Sequence, residues 1–403
     1  MMLKRVSVLG ALAAFVTIGG LVGCSDDNCP SCPPPNEVPA LSYVGSATCG
    51  DAACHQSTYE TFMESGHPYK LTAVENNTAP TYPWDSEHVY TVAQDGPPPG
   101  TTWDMFAYVI GGYGWKARFV KLDGNVYTTG TQAQLNLWGT EADKWVPYDQ
   151  DAAKPYNYGC FKCHTTGASD QGSWPAGTTG FGTFAFGGVQ CEECHGMGSR
   201  HAFDPENFPM AVDASKDLCG RCHHRDAQNR VAVSGGFIRH HEQYDETIHS
   251  PHAAVGCNGC HDPHASVKYD DVALGNGVKT QCISCHTGYD ANLTHNSVPE
   301  CTDCHMPDAA KSARADYAYK GDIASHLFQI NTDPVGKDAM WTSDGKFVQL
   351  DEFGKGRVTL DFACYGCHKD ENGVGGIYST KTLAELSAKA KTMHSGVVAV
   401  SLK

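Results

Sequence analysis

Apolar and polar positions follow different rules in different stretches of these 403 residues. Behind Met1-Met2-Leu3-Lys4-Arg5 lies a mostly apolar run from Val6 to Val22, slightly too short to span a bilayer comfortably. From His67 to Tyr158 the chain is aromatic and Gly-rich. Within it, Phe106–Ile110 and Trp115–Val120 carry the β-branched and aromatic content of strands, and Asp123-Gly124 in Lys121–Tyr127 predicts a hairpin turn. A second, smaller hairpin is expected around Asp344-Gly345, between Met306 and Phe362. From 160 to 305 no period persists, and Gly, Pro, Asp and Asn punctuate the stretch. The clearest helix is the last. Thr382 opens Leu383–Lys391 with Glu385 three residues on, a capping box, and the helix ends near His394 and Gly396.

The aperiodic stretch has a different organising principle. Cys-x-x-Cys-His occurs seven times, at Cys160/Cys163/His164, Cys191/Cys194/His195, Cys219/Cys222/His223, Cys257/Cys260/His261, Cys282/Cys285/His286, Cys301/Cys304/His305 and Cys364/Cys367/His368. An eighth site, Cys49/Cys54/His55, has four residues between its cysteines instead of two. One Cys-x-x-Cys alone is equally a zinc half-site or a redox disulfide. A zinc site, however, pairs such units and requires no adjacent His. Seven copies with the His fixed are c-type haem attachment sites, in which two thioethers hold the porphyrin and the imidazole reaches the iron. The expected cofactor load is eight haems c, numbered 1 to 8 in chain order. Six sites fall within the 146 residues from Cys160 to His305, too few residues for separate apolar cores. The expected fold is therefore short helices and loops wrapped around stacked porphyrins, with little regular secondary structure and a small β-rich insert. That insert holds no charged constellation suggesting a catalytic pair, and its aromatic residues read as core packing.

Eight of the 20 histidines are proximal, leaving 12. Nine are candidates for the second axial position: His67, His201, His240, His241, His252, His264, His295, His326 and His394. A His near one motif often serves a neighbouring haem. His88, His224 and His249 are weaker candidates, and His67 and His394 could also serve a neighbouring copy. Bis-His ligation closes an iron to small molecules and gives lower potentials than Met/His ligation.

Three of the 19 cysteines remain, Cys24, Cys29 and Cys32. Leu21-Val22-Gly23-Cys24 resembles a lipobox, with Cys24 the lipidated first residue of the mature chain and Ser25 in place of the aspartate that favours inner-membrane retention. Cys29 and Cys32 lie in a Pro-rich tether without a following His, and a disulfide is expected there. Removing residues 1–23 leaves 27 basic against 45 acidic residues, net −18. Such a charge argues against nucleic acid and anionic membrane surfaces as partners. The expected divisions are 1–23 signal peptide, 24–45 tether, 46–159 haem 1 with the β-rich segment, 160–310 the six-haem core, and 311–403 the segment with haem 8.

Several segments resemble one family of multihaem cytochromes c from metal- and sulfur-respiring bacteria. They are 43–46, Ser65–Leu71, Val109–Phe119, Gly188–His201, His240–Tyr244, Ser250–His264 and Thr359–Cys364. The broader superfamily holds octahaem tetrathionate reductase, hydroxylamine oxidoreductase and filament-forming cytochromes. The resemblance implies an exported octahaem electron carrier rather than an enzyme. It would act at the outer membrane, on the periplasmic or outer face, in extracellular electron transfer, and could polymerise into filaments. Partner cytochromes, quinone-linked donors, metal oxides and its own copies are the implied partners. The alternative is an octahaem reductase of small nitrogen or sulfur oxyanions.

Overall fold

A computed structural model describes residues 37–84, 89–137, 144–178, 180–225, 230–267, 277–289, 295 and 299–395. The signal segment, Cys24, Cys29, Cys32 and His88 lie outside the described residues. Two compact units divide the chain at Pro39, and all eight attachment motifs fall in the second, residues 40–403. No described helix is long and apolar enough to cross a membrane.

The β-rich insert is a five-stranded antiparallel sheet in sequential order: β1 Leu71–Ala73, β2 Phe106–Tyr113, β3 Lys116–Lys121, β4 Gln134–Asn136 and β5 Trp145–Val146. The two strands expected from sequence are β2 and β3, paired with Val109 opposite Phe119 and Ile110 opposite Arg118. Alternation sorts β3 cleanly. Ala117 and Phe119 are fully buried with Phe106, Val109 and Leu135, whereas Lys116 and Arg118 take the other side. A second cluster joins Leu71, Val120, Val126 and Tyr156 to Phe161, which lies inside the haem 2 motif. That phenylalanine fixes the motif to the sheet, and burying such a ring contributes about 1.5–3 kcal/mol. The Asp123-Gly124 turn closes a single antiparallel bridge, Val120 to Val126, with Gly124 at φ +80°. Around Asp344-Gly345 the chain likewise closes one bridge, Trp341 to Val348.

One small sheet was not legible in the sequence. Val233–Ser234 and Phe237–Arg239 form a hairpin through Gly235-Gly236, both at positive φ, and Ala310–Lys311 adds in parallel. Paired left-handed residues suit a two-residue hairpin. The hairpin seeds a core of Phe237, Ile238, Ala310, Leu327, Val358 and Phe362, so residues on both sides of position 310 share one apolar cluster. A two-stranded sheet pairs Thr165–Thr166 with Phe186–Gly187, and elsewhere the described chain runs in turns and helices of three to eight residues, the low-regularity fold expected. Helix Leu383–Ala390 carries the expected capping box, with Thr382 Oγ1 accepting from Glu385 N at 3.2 Å.

Candidate haem-binding core

Each Cys-x-x-Cys-His sits on a single helical turn, which places residues i, i+3 and i+4 on one side. Such turns include Cys191–His195, Cys301–His305 and the tighter Cys257–Gly259 and Cys282–Ser284. The His amide donates to the first cysteine's carbonyl at 2.9 Å in His223→Cys219, His261→Cys257 and His286→Cys282, and at 2.8 Å in His368→Cys364. The longer haem 1 site makes the same closure. His55 N donates to Cys49 O at 3.0 Å, while the two extra residues loop outward under an Asp51 turn that accepts from Ala53 N. Its cysteines and histidine are thus presented much as in the shorter motifs.

The cysteines of motifs 1–7 lie along the same surface as their histidines. Residues from all eight motifs line one continuous cavity of about 3040 Å³, against about 300–1,000 Å³ for an ordinary ligand pocket. Among the described residues, no group of three or more His, Cys, Asp or Glu is arranged to hold a bare metal ion. The cavity and thiols fit covalent haem instead.

The histidines provide a sharper test. An imidazole nitrogen sits about 2.0–2.1 Å from a metal, and roughly 1.1 Å more reaches the ring centre, so rings sharing one metal stand about 6.3 Å apart. Proximal His55 lies 6.2 Å from His201, His195 6.2 Å from His264, and His261 6.2 Å from His326. His286 lies 5.8 Å from His252, His305 6.0 Å from His394, and His368 6.1 Å from His295. His223 has two such neighbours, His67 at 6.4 Å and His241 at 6.3 Å. His240 lies 4.5 Å from His241 with the rings tilted by 54°, and faces no proximal ring among the described residues. His224 is engaged by Asp245 at 2.7 Å, and His249 Nδ1 by the Gly354 carbonyl.

Second partners fix the ring orientation. Nδ1 of His201, His305 and His368 meets the carbonyls of Phe208, Phe328 and Ser379 at 3.0, 2.8 and 3.1 Å. A Nδ1–H donated there leaves the Nε2 lone pair for iron. Burial holds His67 down to about 3 and His326 to about 4, keeping these imidazoles neutral, as ligation requires.

His164 of haem 2 differs. Its Nδ1 meets the Tyr156 hydroxyl at 3.2 Å, but among the described residues no histidine ring stands opposite it at ligand distance. Its electrostatic neighbours are cations, Lys70, Arg118 and Arg225, and Lys116 joins them on the same face of β3. Burial pushes Lys70 down to about 8 and Lys116 to about 7. The β-rich segment, in which the sequence shows no charged constellation suggesting a catalytic pair, contributes three cations of this cluster, Lys70, Lys116 and Arg118. The available signal was Lys116-x-Arg118, two charges on alternate positions of a strand whose intervening residues are core.

Two family models match parts of the chain: cytochrome c554 and c-prime over residues 131–196, and the doubled CXXCH motif over 249–291. The multiheme cytochrome MtrA of Shewanella baltica is 31% identical over 136 residues, covering 30% of this chain and 36% of that protein. The dissimilatory sulfite reductase MccA of Wolinella succinogenes is 25% identical over 236 residues, covering 44% and 32%. The chain thus spans about a third of the length of these relatives. Among solved structures, the Wolinella succinogenes octaheme sulfite reductase MccA, form II, superposes with a TM-score of 0.55 at 19% identity, covering 90% of this chain and 69% of that one. Repeated attachment motifs and a shared fold together define a multihaem c-type cytochrome. Within that class, the chain shares its fold with the octaheme sulfite reductase MccA over 90% of its length.

Proposed function

We propose that this protein is an exported octahaem cytochrome that conducts electrons through a file of bis-His haems, working at the outer membrane or beyond it. One observation supports this above the rest: seven of the eight proximal histidines face a second histidine at the spacing of one shared metal, 5.8–6.4 Å. On this reading His201, His264, His67, His326, His252, His394 and His295 are the second ligands of haems 1, 3, 4, 5, 6, 7 and 8. Bound haems supply reversible one-electron redox centres. The protein holds them adjacent: thiols of Cys49 and Cys191, Cys194 and Cys219, Cys219 and Cys257, and Cys163 and Cys222 are neighbours, as are Cys260 with Cys285 and Cys304 with Cys364. Tyr289 stands between His286 and His394. These contacts order the file 1-3-4-5-6-7-8, with haem 2 branching at haem 4. Electron paramagnetic resonance of the oxidised protein, with an intact mass for haem content, tests the reading. Eight haems with at least seven low-spin irons are expected; a second high-spin iron, or a mass with seven haems, would refute it.

Anchoring through Cys24 belongs to the same proposal. A Cys24→Ser variant should lose its membrane association, and retention in full would exclude the lipid anchor.

A second reading, an octahaem reductase of small nitrogen or sulfur oxyanions, is favoured by one specific observation. His164 alone among the proximal histidines has no second histidine ring facing it among the described residues, and its electrostatic neighbours are cations.

A further inference from the structure

The Nδ1 atoms of the histidines assigned to iron do not all meet the same kind of group. Those of His201, His305 and His368 meet backbone carbonyls, that of His261 meets the Gly277 carbonyl at 3.4 Å, that of His223 the Gln243 amide oxygen at 3.3 Å, and that of His164 the Tyr156 hydroxyl. Those of His252 and His394 are buried with no partner among the described residues. His264, the proposed second ligand of haem 3, is the exception. Its Nδ1 lies 3.2 Å from Asp262 Oδ1, a charged acceptor. The arrangement is local to Asp262-Pro263-His264. Asp262 Oδ1 also accepts from the His264 amide at 3.0 Å, a turn that brings the carboxylate back beside the ring. Because a carboxylate only accepts, Nδ1 carries the proton and Nε2 keeps its lone pair for iron. Among the described residues no Lys or Arg pairs with Asp262. Two other acids belong to the haem 3 motif, and both are already engaged. Glu192 accepts from the amides of Val44, Gly45 and Gly198, and Glu193 is countered by Arg221 at 3.2 Å.

We propose that Asp262 is a positioning residue that makes haem 3 the lowest-potential centre of the file. The proposal rests on the bis-His pairing and adds an energy profile to it. A hydrogen bond to a carboxylate makes an imidazole a stronger donor than a carbonyl or amide partner does, and a stronger donor favours ferric over ferrous iron. Oxidation also leaves one more positive charge at the centre, which an unneutralised carboxylate beside it stabilises. The Asp262 side chain is 43% exposed, so water and salt screen its field at a distance, but the direct bond to Nδ1 does not depend on that field. Haem 3 lies between haems 1 and 4 in the file, and an electron crossing in either direction meets this step. Asp262 thereby sets haem 1 apart: haem 1 exchanges readily with whatever docks at its end, while the centres beyond haem 3 equilibrate among themselves. The rival account gives Asp262 the turn alone, through its bond to the His264 amide. Asparagine separates the two, since it keeps an acceptor oxygen for the turn and removes the charge.

The experiment is a mediated redox titration of the fully loaded protein, followed by electron paramagnetic resonance of its low-spin signals, in wild type, Asp262→Asn and Asp262→Ala. His264→Ala identifies the haem 3 signal as the one that turns high-spin. In wild type that signal should be the last lost on reduction. In Asp262→Asn it should be lost at a mediator oxidised-to-reduced ratio at least tenfold higher, about 59 mV for a one-electron couple. Asp262→Ala should move it at least as far, with haem content by intact mass and the other midpoints unchanged. The shift should persist at high salt. Where His264→Ala does not assemble, the asparagine variant decides alone, because the single midpoint that moves must be the lowest. A wild-type haem 3 signal that disappears ahead of the others would overturn the proposal. So would an unmoved midpoint in Asp262→Asn, which would assign Asp262 to the turn, or a shift shared by all the haems. If His264→Ala assembles with every iron low-spin, the pairing itself falls and the proposal with it; a high-spin haem 3 with unmoved potentials ends the proposal and leaves the pairing standing.

Discussion

At Gly188 the backbone approaches Pro68 so closely that an added Cβ would lie 1.9 Å from the Pro68 carbonyl oxygen, at φ +74°. The contact matters because the next amide, Val189 N, donates to the His67 carbonyl at 3.0 Å and so holds the segment bearing that ring. A Gly188→Ala variant must both strain its own backbone and displace Pro68. It is expected to lower the melting temperature and disturb the low-spin signal of haem 4; an unchanged melting profile would show that the segment yields freely. Glu246 is a second informative residue. It is fully buried, accepts from Ser325 Oγ and His326 N at 2.6 Å each, and burial pushes its carboxyl up from 4.5 to about 7. The folded chain therefore holds a proton that the unfolded chain releases above about 4.5. The resulting stability is complete below 4.5 and disappears as pH rises through about 7. Denaturation of Glu246→Gln across this window should show a flatter pH dependence than wild type.

At the scale of elements, the capped helix Leu383–Ala390 does more than finish the chain. Leu386 is buried and Ser387 Oγ donates to the Thr332 carbonyl at 2.7 Å, so the helix is docked, and four residues beyond it His394 faces His305. Thr382→Ala removes the cap and should cost about 1 kcal/mol. A rise in high-spin iron at haem 7 ahead of global unfolding is expected in a thermal series, and simultaneous loss of all signals would contradict a local role. This helix was legible because its cap, composition and period agree. Strands β2 and β3 were legible for the same reason, the alternation of Ala117 and Phe119 with charged neighbours. The hairpin at Gly235-Gly236 was not, since its strands are only two and three residues long, below the length at which alternation becomes a pattern. Attachment motifs are local in sequence and readable at once. The cation cluster around His164 is assembled from residues 70, 116, 118 and 225, and only the fold brings them together.

For the whole molecule, the proposed second ligands are drawn crosswise. His201, following motif 3, faces haem 1; His264, following motif 5, faces haem 3; His295, following motif 6, faces haem 8. His67 and His394, the residues available for donation to a neighbouring copy, face His223 and His305 of their own chain. On this pairing, the crosswise arrangement has a consequence for biogenesis. As the polypeptide emerges amino-terminus first, the iron of haem 1 waits for residue 201, that of haem 5 for residue 326, and that of haem 7 for residue 394. The second ligand of each of these haems therefore emerges well after its attachment motif. A chain that stops just short of His394 would keep all eight attachment motifs and still lack the proposed second ligand of haem 7, a break in its conductor that hangs on one late side chain.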